Sequence, residues 1–289
     1  MAFAALGITE VEVFRKLRIG ILSTGSELAS HDDASGLTEA QIRDSNGPYI
    51  EAVLSSLGVE VTKLGIVKDN AKEFELLLSR RLVKGPFDVI ITTGAVSMGK
   101  FDFVGTAIEA MGAETRFHRV AIRPGHPILF ATLPGHYRTT RSESNAGDIT
   151  PPFSPSVESS IRISSSEIAF FVLPGNPLAS AVCLRFLVIP YLRSLRGLPV
   201  EETSTSAILL PTQWESPVHF KKPVHLQAFW HDRRFQETGN VTISVDQGSN
   251  KIRPLLEANC WVGIPSVSHA AMPDETVETF EMYPPSLGL

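Results

Sequence analysis

Leu17 to Ser23 and Phe87 to Ile91 are short apolar runs, Val59 to Val67 reads as a second strand between them, and stretches with helical spacing follow these strands. Asp44-Ser45-Asn46-Gly47-Pro48 opens a predicted helix over 49–57 that stops at Gly58, and Asp69-Asn70 caps another over 71–83 that Gly85-Pro86 ends. A third helix is predicted from about Asp102 to Met111, ended by Gly112. Residues 29–43 show no periodicity and read as a loop. Strand, helix, strand, helix, strand, helix is the order of a parallel sheet with covering helices, whose ligands bind outside the carboxyl ends of the strands. Thr115 to Ile122 is a further strand candidate carrying Arg119, followed by the turn Arg123-Pro124-Gly125-His126-Pro127 and the apolar run Ile128 to Leu133. Ile168 to Leu173 leads through Pro174-Gly175-Asn176-Pro177 into a long helix ending near Leu195.

Two stretches change character. Residues 134–166 are dominated by Ser, Thr, Pro and Gly and read as a disordered insertion, because too few apolar residues remain to offset the entropy of ordering. From about residue 205 onward, short β-like runs alternate with turn residues and predict a small barrel or sandwich. The division expected is a linker over 1–16, an α/β domain over 17–199 and a β-barrel domain over 205–289.

Composition narrows the function classes. The chain has 289 residues, 43% hydrophobic and 20% charged, enough for two cores. A net charge of -5 gives no global basic field, which argues against bulk binding of nucleic acid or anionic membrane. Cys183 and Cys260 lack metal-type spacing and form no disulfide framework, so a reducing cytoplasmic setting is expected. The most apolar helix, Leu178 to Tyr191, is interrupted by Arg185 and should be kinked by Pro190, so it reads as a core helix rather than a membrane span.

Chemistry concentrates in Thr92-Thr93-Gly94-Ala95-Val96-Ser97-Met98-Gly99-Lys100-Phe101-Asp102, a strand-to-helix crossing. Gly94 and Gly99 leave room for a ligand against the backbone, and Asp102 stands where it could hold a cation or merely cap the helix. Glu27, Asp69 and Asp102 all fall at or just past predicted strand ends.

Six motifs occur in order: STGSEL at 23–28, DSNGPYIEAVLSSLG at 44–58, LGIVKDN at 64–70, TTGAVSMGKFDF at 92–103, VAIRPGHP at 120–127 and LPGNPLASAV at 173–182. With them, and with QGSNKI at 247–252, the chain resembles the molybdopterin molybdotransferases: bacterial MoeA and the E domains of gephyrin and plant Cnx proteins. The resemblance implies a three-layer, mostly parallel α/β domain of the MoaB/Mog-like molybdopterin-binding kind, followed by a small all-β barrel. It implies insertion of molybdate into adenylylated molybdopterin with release of AMP, requiring Mg²⁺ or another divalent cation. Carried onto this sequence, Glu27, Asp69 and Asp102 are the implied catalytic and metal-holding carboxylates. The implied substrate contacts are Thr24, Gly25 and Ser26; Asp44, Ser45 and Asn46; and Thr93, Gly94, Ala95, Val96, Ser97, Met98 and Gly99. They continue with Arg119, Arg123, Pro124, Gly125 and His126, then Pro174, Gly175, Asn176 and Pro177, and finally Ser249 in the tail, where Arg233 matches a family arginine.

Ala95 stands where the family has a second glycine, and Lys100 where it has an acidic residue. Family members also begin with roughly another domain's worth of residues, so a homodimer or a complementing N-terminal half is expected, and an adenylyltransferase is an expected upstream partner. Two competing readings remain from the sequence. One is an adenylyltransferase like MogA, against which Val96-Ser97-Met98 and the β-rich tail argue; the other is a non-catalytic binding or scaffold module.

Overall fold

The computed structural model describes residues 2–11, 13–34, 36–95, 103–134 and 167–199, and in the tail 205–209, 227–232, 234–235, 240–241, 252, 255–256, 258–264 and 276–282. Of the expected insertion, Pro134 ends a strand and residues 135–166 lie outside the described residues, as do Val96 to Asp102, Arg233 and Ser249.

After a short helix α1 (Ala2–Ala5), the chain runs through β1 (Arg18–Thr24), β2 (Leu28–Ala29), β3 (Ile42–Arg43), α2 (Asn46–Ser56), β4 (Glu60–Val67), α3 (Ala71–Lys84) and β5 (Val89–Thr93). It continues with α4 (Val104–Ala110), β6 (Glu114–His118), β7 (Ile122–Arg123), β8 (Leu129–Pro134) and β9 (Glu167–Leu173). The central six-stranded sheet has the order β4-β1-β5-β9-β8-β6. Its first four strands are parallel, while β8 and β6 are added antiparallel.

The inner parallel strands β1, β5 and β9 are buried on both faces, and their alternate residues feed two different cores, while β4 at the sheet edge buries only Leu64 and Val67. Ile19, Ile21, Val89, Ile91, Ala169 and Phe171 pack beneath α2 and the long helix. Leu22, Ile90, Phe170 and Val172 pack beneath α3 and α4, with Phe74, Leu78, Leu82, Val104 and Ile108. This is a three-layer α/β/α arrangement, and the period of two is why the strands read as continuous apolar runs.

The long helix is continuous from Pro177 to Leu195, but in three pieces: α5 (Pro177–Cys183), a π turn (Leu184–Val188) and α6 (Ile189–Leu195). Pro190 has no N–H to give the carbonyl four residues back, and its ring would crowd that carbonyl. The wider π turn just ahead of it accommodates both, so the expected kink takes the form of a π insertion. By length and composition this helix could cross a membrane, yet most of its apolar stretch is buried against the sheet.

The tail supplies β10 (Thr205–Leu209), β11 (Gln227–Asp232), β12 (Arg234–Phe235), β13 (Asn240–Val241), β14 (Cys260–Ile264) and β15 (Thr276–Glu281). They join a seven-stranded sheet of order β12-β13-β10-β15-β14-β11-β7, whose last strand belongs to the α/β region. Trp261, Phe280 and Met282 enter the same core as Ile122, Leu184 and Val188.

Three local expectations change. The segment 29–43 is not all loop: β2 and β3 pair in parallel through Leu28↔Ile42 and Ala29↔Arg43, beyond the reach of a periodicity test on two-residue strands. The strand predicted over 115–122 stops at His118, because Arg119 takes φ 68°, a left-handed conformation that no strand continues. The third helix begins at Val104, with Phe103 at the N-cap and no side-chain cap bond.

Candidate functional site

The carboxyl ends of β1, β4, β5 and β9 lie side by side, and the predicted motifs meet there. Gly25 N–H donates to Val67 O at 3.0 Å, the Thr24 hydroxyl donates to Thr93 O at 2.9 Å, and Gly94 N–H donates to Leu173 O at 3.0 Å. The turn after β5 is the tightest point. Gly94 has φ 91°, and a Cβ there would lie 2.3 Å from the Thr24 carbonyl oxygen, so only glycine fits. Gly175 packs on the other side, its Cβ position 3.4 Å from the Gly94 Cα. Ala95 follows with φ 47°, a left-handed conformation that favours glycine.

Asn46 and Asn176 secure the Pro174–Pro177 turn from both sides. The Asn46 side-chain amide donates to Gly175 O at 2.8 Å, and the Asn176 side-chain oxygen accepts from the N–H groups of Leu178 and Ala179 at 3.1 and 3.2 Å. Asn176 is thus the N-cap of α5, with Pro177 in the first turn. At α2, the helix starts at Asn46, three residues ahead of its predicted start at Tyr49. Ser45 occupies the N-cap without a side-chain bond, while the buried Asp44 accepts from Gly47 N–H at 3.0 Å and from the Ser23 hydroxyl at 2.6 Å. Ser23 was not among the predicted site residues; its only sequence signal is its place at the head of STGSEL.

Of the predicted carboxylates, Asp69 does not cap α3. Asn70 does, accepting from the N–H groups of Lys72 and Glu73 at 3.0 and 3.2 Å. Asp69 instead reaches across to the first motif, where its carboxylate accepts from Ser26 N–H at 3.1 Å and its own N–H donates to the Ser26 hydroxyl at 3.1 Å. Glu27 is the next residue, exposed, with its carboxylate folded over Gly25. The structure therefore brings Glu27 and Asp69 to one turn. Among the described residues no group of three or more His, Cys, Asp and Glu could hold a metal ion. The two carboxylates are nonetheless the oxygen donors that Mg²⁺ prefers, and the third predicted one, Asp102, lies outside the described residues.

The basic loop reaches the same edge by a different route. Since β8 and β6 are antiparallel to their neighbours, Leu129 pairs with Val172 and His118 with Leu129, so the connection between them projects from the carboxyl end of β9. Arg119 N–H donates to Ile128 O at 2.8 Å, Val120 N–H to His126 O at 3.0 Å, and the His126 ring Nδ1 donates to Val120 O at 2.8 Å. Arg119, Arg123 and His126 are exposed on this loop, and Gly125 is buried beneath it with φ 116°.

Thr92, which precedes the predicted contacts, is fully buried at 0% exposure, and its hydroxyl has no hydrogen-bond partner among the described residues. A threonine in an apolar strand gives no sequence sign of that state.

Residues 20–194 match the family model described as "Probable molybdopterin binding domain". The molybdopterin molybdenumtransferase of Synechococcus elongatus is 33% identical over 266 residues, which cover 92% of this chain and 56% of that protein. The one from Haemophilus influenzae is 30% identical over 297 residues, covering 99% and 61%. The chain thus spans a little over half the length of these relatives. Among solved structures, a molybdopterin biosynthesis MoeA protein from Pyrococcus horikoshii superposes with a TM-score of 0.69 at 22% identity, over 97% of this chain and 58% of that one, a likeness of fold.

Proposed function

The chain belongs to the molybdopterin-binding family of the molybdopterin molybdenumtransferases, and from that premise we propose that it inserts molybdate into adenylylated molybdopterin with release of AMP. The observation that carries the reading is the close approach of the Gly94 backbone to Thr24 and Gly175 at the carboxyl edge of the sheet, a floor made of two glycines and a buried threonine. A flat pterin can lie against such a floor, and Thr24, Gly25, Ser26, Asn46 and the Pro174–Pro177 turn border it. Arg119 and Arg123, on a loop at the same edge, supply charge-assisted bonds to phosphate or molybdate oxygens. Glu27, Asp69 and Asp102 are the residues that would hold a divalent cation, which when bound supplies positive charge to the phosphate oxygen leaving with AMP. We further read the tail sheet as part of a small barrel forming a second domain over 205–289, a reading supported by its mainly antiparallel pairing.

The test is molybdate-dependent AMP release, run on the parent chain and on Asp102→Asn. Asn keeps the size and capping capacity of Asp but removes the charge a cation needs. Binding of the adenylylated pterin should persist while AMP release falls by two or more orders of magnitude, on the order of 3 kcal/mol or more in the barrier. Equal rates at saturating Mg²⁺ would remove Asp102 from the mechanism. Pterin binding with no release even from the parent would favour a binding module over an enzyme.

A further inference from the structure

We propose that Cys183 is a positioning residue for the basic loop 119–126: its thiol holds the Gly125 carbonyl and so fixes where Arg123 and His126 stand, an inference that rests on the anion-binding role given above to that loop. Gly125 lies two residues after Arg123 and one before His126. Its carbonyl oxygen accepts twice, from Ile128 N–H inside the loop at 3.2 Å and from the Cys183 thiol on the helix at 3.4 Å. A carbonyl has two lone pairs, so one closes the turn and the other ties the turn to α5.

The fit is as specific as the bond. Cys183 is 0% exposed, and a Cβ on residue 125 would lie 2.8 Å from its sulfur and 3.0 Å from Ile122 Cδ1. A larger side chain at 183 would lift the loop, and a smaller one would leave it resting on a gap. Burial pushes the thiol well above its ordinary range, so it stays an S–H donor rather than a thiolate. Cys183 is also the last residue of α5, whose first turn is capped by Asn176. One helix therefore holds both the Pro174–Pro177 turn at its start and the arginine loop one and a half turns further on. A sulfur donor is weak, and the contact adds little to global stability; what it supplies is placement.

Cys183→Ser, Cys183→Ala and Cys183→Val separate placement from bulk stability, using amide hydrogen exchange together with calorimetric titration of inorganic pyrophosphate. In Cys183→Ala the loop amides of Val120 and Ile128, which donate to His126 O and Gly125 O, should exchange faster while those of β5 keep the parent rate. Pyrophosphate should bind about twofold more weakly, because the loop that carries Arg123 is less preorganised. Cys183→Val, which pushes on Gly125, should weaken binding further, and Cys183→Ser, which keeps a donor, should fall closest to the parent. Unchanged loop exchange in both Ala and Val would overturn the proposal, as would acceleration spread equally through β5. If the parent itself fails to bind pyrophosphate, the anion-binding reading falls, while loop exchange still decides whether Cys183 positions the loop.

Discussion

Gly94 cannot be replaced without moving a backbone. Alanine there would combine a left-handed φ with a Cβ 2.3 Å from the Thr24 carbonyl oxygen, and the two penalties together are on the order of 3 kcal/mol. Gly85 is the control: nothing lies within 4 Å of its Cβ position, and its extended backbone accepts any residue. The urea midpoint should drop sharply for Gly94→Ala and rise slightly for Gly85→Ala, where stability increases by about 0.5 kcal/mol. Tyr191 of the long helix sits in an aromatic cluster. Its ring packs against Phe130 and Phe171 at 5.3 and 5.2 Å, while its buried hydroxyl has no hydrogen-bond partner among the described residues. Burial first, then the charges of Glu167 and Asp88, push the phenol pKa above its usual value. The unfolded chain therefore loses this proton near pH 10 while the folded chain keeps it, so the folded state holds its full stability below about pH 10 and loses it above. Tyr191→Phe should be neutral or more stable by about 1 kcal/mol at pH 7 and should lose less stability between about pH 9 and 11, as denaturation across that range would measure. Sequence alone marks Gly94 as special, because a glycine at a strand end has few other uses. It says nothing of Tyr191 or Thr92, whose condition depends on which neighbours the fold brings or fails to bring.

Elements were legible where they are long and locally encoded. The parallel strands, α3 and the long helix lie within a residue or two of their predicted positions because apolar runs and capping residues are read from the chain itself. What the sequence hid are choices settled between segments. Asp69 and Asn70 are equally good caps on paper, and only the proximity of Ser26 assigns Asp69 to the first motif and leaves the cap to Asn70. The two-residue strands β2 and β3, and the break at Arg119, likewise follow from pairing between segments, Leu28 with Ile42 and Arg119 N–H with Ile128 O. The cap of α5 joins this scale to the site. Asn176→Ala removes the acceptor for Leu178 and Ala179 N–H and should cost about 1 kcal/mol, as N-caps do. Because Asn176 sits in the turn that packs on Gly94, pterin affinity should fall as well. A thermal shift with unchanged affinity would show that the cap serves only the helix.

At the scale of the whole molecule, the expected division into an α/β unit and a β tail meets a shared core. β7 leaves the α/β region to pair with β11, and Trp261, Phe280 and Met282 bury themselves among residues of the long helix. Arg185 stands at this junction: 4% exposed, within the π turn, it donates from Nε to the Glu281 carbonyl at 3.2 Å and lies 5.3 Å from the centre of the Phe186 ring. Phe186 in turn packs edge-on against Phe280 at 5.1 Å and Trp261 at 6.0 Å. The charge that interrupts an otherwise apolar helix in the sequence is thus a fastening between the helix and the last strand. Arg185→Leu keeps apolar volume but leaves the Glu281 carbonyl without this donor, at a cost of about 2 kcal/mol. If the two regions fold as one cooperative unit, far-ultraviolet dichroism and tryptophan fluorescence should follow a single coincident transition in the parent, and in Arg185→Leu both should move to lower urea together. Should fluorescence, which reports the tail through Trp261, shift while the dichroism of the helices holds, the tail unfolds as a separate unit and the shared core is only a contact surface.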